Sequence, residues 1–383
     1  MRIVTQPFLV TRPVGSGSKT GITYVLRDEF TTDQTFADGA ARTCEPGPGT
    51  LTIEEDVTVT GANIQIAGSV ITMARPSAGQ SWAGYGFFTP TGLARVNGRA
   101  VYGAISCSII DRTQLGWRIA ATLGEMEDGF QLDGGSNLSG KVNAGDVVFA
   151  GSLSASTVYH LIVVCRSSGY FYFIRGGSQY PSYSLIYVSA VSVDTPLYPA
   201  LSNFNSAVAS FDTLTVYDLG GAFLTDFGTA TAYDATPVAN DTATGTADAL
   251  MEFTWTPVAA ETLKLFFRRI SDDETYRLDC DQVGGTIKLY SRTGAVDTEL
   301  DAGKTQTWTA GTQYRIVIRY AAGVIRTFVE TNTTVTLKHS VTGQTLNLST
   351  TGCKCSGFAS GANWAIFPYT WAGSGDVTTL ASA

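Results

Sequence analysis

The sequence predicts an all-β protein made of two tandem antiparallel β-sandwiches. Three observations carry that expectation. The chain has 383 residues, 44% of them hydrophobic and only 15% charged, so it can bury more apolar surface than a single core holds. Its 41 glycines, 17 tyrosines and 19 phenylalanines favour strands joined by tight turns. Blocks of similar sequence recur in the same order in its two halves, the mark of a duplicated unit.

The first block is Leu115-Gly116-Trp117-Arg118-Ile119 followed by Gly129-Phe130-Gln131-Leu132-Asp133; its counterpart is Leu263-Lys264-Leu265-Phe266-Phe267 followed by Thr275-Tyr276-Arg277-Leu278-Asp279. Next, Tyr159-His160-Leu161-Ile162-Val163 matches Tyr314-Arg315-Ile316-Val317-Ile318. Each half then passes a turn glycine, Gly169 or Gly323, into a second strand, residues 170–175 and 324–330. The matched aspartates and the matched tyrosines differ in spacing by one loop insertion, placed around 294–304. Each block alternates with the two-residue period of a half-buried strand, as Met251, Phe253 and Trp255 do against Glu252 and Thr254. Facing antiparallel sheets would bury the apolar sides.

The repeat sets the expected boundaries. Residues 1–27 form an extended arm with a hinge at Gly15-Ser16-Gly17-Ser18, residues 28–219 the first sandwich, and residues 220–383 the second, entered through Gly220-Gly221.

In each half an Asp-Phe opening precedes a strand ending Leu-Asp, then a Tyr-x-Leu/Ile strand, a glycine turn and an aromatic-rich strand; the first half closes on Phe211-Asp212-Thr213-Leu214-Thr215-Val216. This pattern resembles the concanavalin A-like (laminin G-like) jelly-roll superfamily over about 340 residues, and the resemblance implies a fold more than a function. The tandem copies, the arm and the low charge also look like structural proteins of tailed bacteriophages. That likeness implies a virion structural or decoration protein on a capsid or tail, made in a host cytoplasm, whose partners are other virion subunits, copies of itself and possible surface glycans. The alternative is a carbohydrate-binding, lectin-like module, and a weaker one a glycoside hydrolase of the same fold.

The formal net charge of −8 and the lack of any basic run longer than Arg268-Arg269 argue against nucleic acid and against anionic membranes. The first residues do not read as a secretory signal, because Gln6 and Arg12-Pro13 interrupt the apolar run, and no stretch approaches a bilayer span. The six cysteines are too sparse for a disulfide framework, and Cys353-Lys354-Cys355 with two distant histidines does not make a zinc site.

No catalytic machinery is expected. Laminarinase-type members of the superfamily carry Glu-x-Asp-x-x-Glu on one strand; here Glu125-Met126-Glu127-Asp128 has the wrong spacing and reads as a solvated turn. His160, in the slot of Arg315, and His339 both read as surface residues without a positioned partner. No cofactor is expected; calcium stays open, since Asp133 and Asp279 recur and Asp226, Asp234 and Asp241 fall in loops. A sugar needs an exposed aromatic platform beside amides or acids. Trp117 and Trp255 fall on core faces, which leaves Trp82, Tyr85, Trp364, Tyr369 and Trp371 as candidates. In the arm, Ile3, Val4, Phe8, Leu9 and Val10 have no place in either repeat and could add a strand to a neighbouring sheet.

Overall fold

The computed structural model describes residues 23–36, 39–54, 63–74, 85–108, 112–120, 126–133, 137–151, 153–190, 196–203, 208–219, 231–233, 248–331, 334–346, 353–358 and 364–368. The described residues contain strands and no helix. In chain order the strands begin with β1 (Thr23–Asp28), β2 (Gln34–Thr35), β3 (Ala41–Thr43), β4 (Thr50–Glu54), β5 (Asn63–Ala67), β6 (Val70–Ala74) and β7 (Tyr85–Phe88). Next come β8 (Arg99–Cys107), β9 (Thr113–Arg118), β10 (Asp128–Asp133), β11 (Asn137–Val142), β12 (Gly145–Ala150), β13 (Tyr159–Cys165) and β14 (Tyr170–Gly176). Then follow β15 (Tyr180–Val188), β16 (Tyr198–Asn203), β17 (Val208–Asp218), β18 (Thr231–Tyr233), β19 (Ala249–Trp255), β20 (Thr262–Ser271) and β21 (Glu274–Asp281). The last are β22 (Thr286–Thr293), β23 (Val296–Thr305), β24 (Tyr314–Ala321), β25 (Val324–Glu330), β26 (Val335–Val341), β27 (Lys354–Ser356) and β28 (Trp364–Pro368).

They form four antiparallel sheets in two sandwiches. One sheet of the first sandwich runs β15-β14-β13-β8-β17-β6-β5-β2, with β1 also on β17; the other runs β12-β11-β10-β9-β16-β7-β4-β3. The second sandwich pairs β18-β28-β19-β24-β25-β26 with β23-β22-β21-β20-β27. The duplication is written in these orders. The path β15-β14-β13-β8-β17 recurs as β26-β25-β24-β19-β28, and β12-β11-β10-β9-β16 recurs as β23-β22-β21-β20-β27. The fold is a tandem jelly roll.

Register corrects one detail of the sequence match. Tyr159 lies opposite Ile105 and Tyr314 opposite Trp255, as equivalent positions should. Leu115 lies opposite Phe130, however, whereas Tyr276 faces Phe267. Leu115 therefore corresponds to Phe267 and not to Leu263. The β20–β21 hairpin is shorter than the β9–β10 connection, and a shift by an even number of residues leaves the alternation of faces intact.

In the first sandwich Phe130 and Phe149 of one sheet meet Tyr172 of the other, with ring centroids 5.6 and 5.1 Å apart. Gly140 lets Phe149 lie against its backbone: a Cβ there would stand 1.9 Å from the ring. Gly140→Ala is expected to lower stability by about 1–3 kcal/mol, as overpacked cores do, read by urea unfolding. Trp117 and Trp255 are both fully buried, as the alternation required. Asp28, which opens the first repeat, is buried and takes two hydrogen bonds from the Arg42 guanidinium, at 2.6 and 2.9 Å.

The two sandwiches share a buried seam. Leu250, Val317 and Phe328, on the outer face of β19, β24 and β25, belong to the hydrophobic core of the first sandwich. Phe328 meets Tyr187 edge to face at 5.0 Å. Around this contact lies a closed set of charges. Arg315 donates to Glu330 at 2.6 Å, to the Val188 carbonyl at 2.6 Å and, through Nε, to Glu252 at 2.9 Å. Arg166 grips Glu252 with two bonds of 3.0 and 2.9 Å, while Tyr187 and the Ala190 amide donate to Glu330 at 2.7 and 3.1 Å. Two guanidinium groups thus balance two carboxylates. Burial alone would raise the Glu252 carboxyl, but Arg315 and Arg166 outweigh it and hold it at about 2.

At the slot shared by His160 and Arg315 the sequence expected solvent, but Arg315 is buried and His160 half-buried. Arg315 is only 7% exposed, and His160 bonds the Tyr102 hydroxyl at 2.8 Å. His339 is buried too, with Nδ1 2.7 Å from the Thr327 hydroxyl. Burial keeps both imidazoles low, at about 4. Alternation placed His160 and Arg315 off their own core and could not show that a second sandwich or a neighbouring strand covers them, whereas His339, opposite Thr327 and two residues from the core-packed Val341, faces into its own sandwich.

Candidate functional site

Corresponding sheets of the two sandwiches present the same outward positions, and the two faces differ in kind. In the first sandwich, β9, β10, β11 and β16 turn Gln114, Gln131, Ser139, Lys141 and Ser202 away from the core. All are nonetheless buried, Lys141 to 1% exposure. Gln114 donates to Gln131 at 2.6 Å and accepts from the Met126 amide and the Ser202 hydroxyl, each at 3.3 Å. Met126 packs on Ala200 over this face. The floor beneath is a glycine pair: a Cβ on Gly116 would come within 2.4 Å of the Gly129 Cα. This polar face is closed.

Beside it, residues 126–128 are not the solvated turn the sequence suggested. Glu125 lies outside the described residues, Met126 is buried, and Asp128 begins β10 with its carboxylate turned into the core. There Oδ1 accepts from the Asn143 amide at 3.0 Å and the Tyr172 hydroxyl at 3.3 Å, while Oδ2 has no hydrogen-bond partner. Burial dominates and pushes Asp128 up to about 8. Glu127 is half-buried and also raised by burial, opposed by Lys141.

The second sandwich leaves the equivalent face partly open: Arg277 at its centre is buried, and the residues around it are half-buried. On the five-stranded sheet Leu263, Leu265, Phe267, Leu278, Ile287 and Leu289 point to the core, so the alternate residues point out. Register lines those up in two rows across the sheet. One row is Ser356, Lys264, Asp279 and Lys288. The next is Lys354, Phe266, Arg277 and Tyr290. Phe266 and Tyr290 are half-buried, held by their neighbours with part of each side chain in solvent. The Arg277 guanidinium lies over the Tyr290 ring at 4.7 Å, and the Lys354 ammonium over Phe266 at 5.8 Å. Arg277 is fixed by Asp279 at 2.7 Å and Asp297 at 3.0 Å. Burial raises the Asp279 carboxyl in spite of this partner. The result is two half-buried rings two strands apart, with a fixed guanidinium between them and a carboxylate in the adjoining row, which together offer apolar surface and directed hydrogen bonds.

None of the aromatic candidates predicted from the sequence is among these residues. Trp82, Tyr369, Trp371 and the arm residues Ile3, Val4, Phe8, Leu9 and Val10 lie outside the described residues, as do Asp226, Asp234 and Asp241. Tyr85 and Trp364 open β7 and β28, opposite Asn203 and Tyr233. Phe266 and Tyr290 were missed because neither is far from an apolar neighbour in sequence. Their signal was parity: each alternates with leucines that face the core. Among the described residues no group of three or more acidic, histidine or cysteine side chains could hold a metal ion. No described helix is long and apolar enough to cross a membrane.

No family model matches the chain, and no curated protein matches it. Solved structures do. A galectin of Caenorhabditis elegans is 12% identical, covering 35% of this chain and 93% of its own, with a TM-score of 0.29. The carbohydrate-binding module CBM66 from Bacillus subtilis is 10% identical over 36% of this chain and 78% of its own, at 0.25. A β-1,3-glucanase from Mycobacterium marinum is 15% identical over 52% of this chain and all of its own, at 0.32. At these scores the likeness concerns fold alone, the jelly-roll sandwich already read from the sheets. The expectation of a chain without catalysis is corrected only so far as glucanases stand among the structures of similar fold; that likeness carries no activity to this chain. Of that expectation's several grounds one does not hold: the acidic cluster is no solvated turn, since Asp128 is buried with its carboxyl raised to about 8.

Proposed function

We propose that the chain binds carbohydrate on the outer face of its five-stranded sheet. One observation carries the reading: Phe266, Arg277 and Tyr290 form a single row across three neighbouring strands, with the Asp279 carboxylate beside them. A pyranose ring has apolar C–H faces that stack on aromatic rings, and hydroxyl edges that pair with a guanidinium and a carboxylate. The row supplies both, on rigid strands whose side chains are already held in place. Little ordering is left for binding to impose.

Phe266→Ala and Tyr290→Ala are each expected to weaken saccharide binding about tenfold or more, roughly 1.4 kcal/mol, measured by calorimetry with hits from a glycan array. Both side chains are half-buried and outward, so the fold should survive. Unchanged affinity in both variants would remove the face from consideration. New reducing ends appearing in the same titrations would make the bound glycan a substrate.

A virion-type structural role is a second reading, and one observation favours it. The charged seam around Arg315 fixes the two sandwiches to each other, as suits a subunit that must display its faces in a set orientation.

A further inference from the structure

We infer that the saccharide taken by this face is an acidic one, bearing carboxylates or sulfates; the inference rests on the carbohydrate reading and narrows it to a substrate class. The row beside the aromatic pair carries it. Lys264 and Lys288 lie on either side of Asp279, one strand away in each direction, so their backbones are about 10 Å apart. Asp279 already bonds Arg277. Among the described residues, neither lysine has a carboxylate within ion-pair distance, whereas Arg277, Arg292, Lys304 and Lys354 on the same sheet each have one.

The face therefore carries two ammonium groups without a contact ion pair, which share Asp279 between them only at longer range, in a chain whose net charge is −8. A neutral sugar brings no anion to either ammonium, which then have only the distant Asp279 carboxylate, hydroxyls and water for partners. An acidic sugar seated on Phe266 and Tyr290 brings an anion to one or both, at the edge of a half-buried surface where the pairing is screened less than in bulk solvent. The overall negative charge opposes general attraction of polyanions, so recognition depends on this local pair.

The test titrates the full chain with three probes: oligogalacturonate for carboxylates, a sulfated dextran for sulfates, and neutral laminari-oligosaccharides, each at low and high ionic strength. Acidic probes are expected to bind at least tenfold tighter than the neutral one, and to weaken with salt. The double variant Lys264→Gln/Lys288→Gln is expected to lose that preference while keeping any neutral binding. Relative strength of the first two probes identifies the anion. Equal binding of neutral and acidic probes, or an acidic preference untouched by the double variant, overturns the inference while the platform stands, provided Phe266→Ala still weakens binding about tenfold or more. Absence of binding to all three probes overturns the platform as well.

Discussion

Arg315→Ala is expected to destabilise the chain by about 3–5 kcal/mol, the largest loss at any single charged position in the seam. The side chain serves Glu252, Glu330 and the Val188 carbonyl at once, so its removal leaves carboxylates buried between the sandwiches with too little counter-charge. Arg166 still holds Glu252, and Tyr187 with the Ala190 amide still holds Glu330, which sets the loss below that of two naked charges. The pH dependence follows. Because the folded Glu252 titrates at about 2, below its ordinary 4.5, its contribution is present above the ordinary value and is lost as pH falls through about 2. The gap between wild type and variant should accordingly be full at neutral pH and shrink in acid. Urea unfolding at both pH values checks this. A loss under about 1 kcal/mol at neutral pH would mean that the seam is held by Phe328, Val317 and Leu250 alone.

Asp128→Asn is expected to stabilise the protein in base. Burial lifts the native carboxyl from 3.8 to about 8. The sign is the opposite of the Glu252 case: a raised native pKa means that the folded state favours the protonated acid. That advantage is complete below the unfolded value and is lost progressively as pH rises to about 8, above which a charge must be kept in the core. An asparagine retains the acceptor for the Asn143 amide and the Tyr172 hydroxyl and never ionises. The variant should therefore match the wild type near pH 4 and exceed it by at least about 2 kcal/mol at pH 9, since a tenfold change in acidity is worth about 1.4 kcal/mol. Parallel stability curves across that range would show that Asp128 stays ionised in the fold.

Sequence made the architecture legible because strands announce themselves by alternation, and duplication announces itself by order. Leu265, Leu278 and Ile316 could be assigned to a core before any sheet was drawn. What alternation leaves undetermined is the fate of the other face. Arg315, Phe328 and Glu252 lie outward on their own sheet, yet a second sandwich covers them. Lys141 lies outward too, and is buried. Phe266 and Tyr290 have the same parity as those residues and keep part of their surface in water. Only packing of non-neighbouring segments separates the three outcomes, and no local pattern encodes it. Tryptophans in loops also drew the aromatic expectation, which passed over a phenylalanine and a tyrosine on strands.

Hydrogen–deuterium exchange of the full chain, with and without a bound saccharide, tests the carbohydrate face most directly. Slowed exchange confined to β20, β21 and β22, around Phe266, Arg277 and Tyr290, is the predicted result. Protection that leaves these three strands unchanged and falls instead on the first sandwich or on residues 1–22 would contradict it.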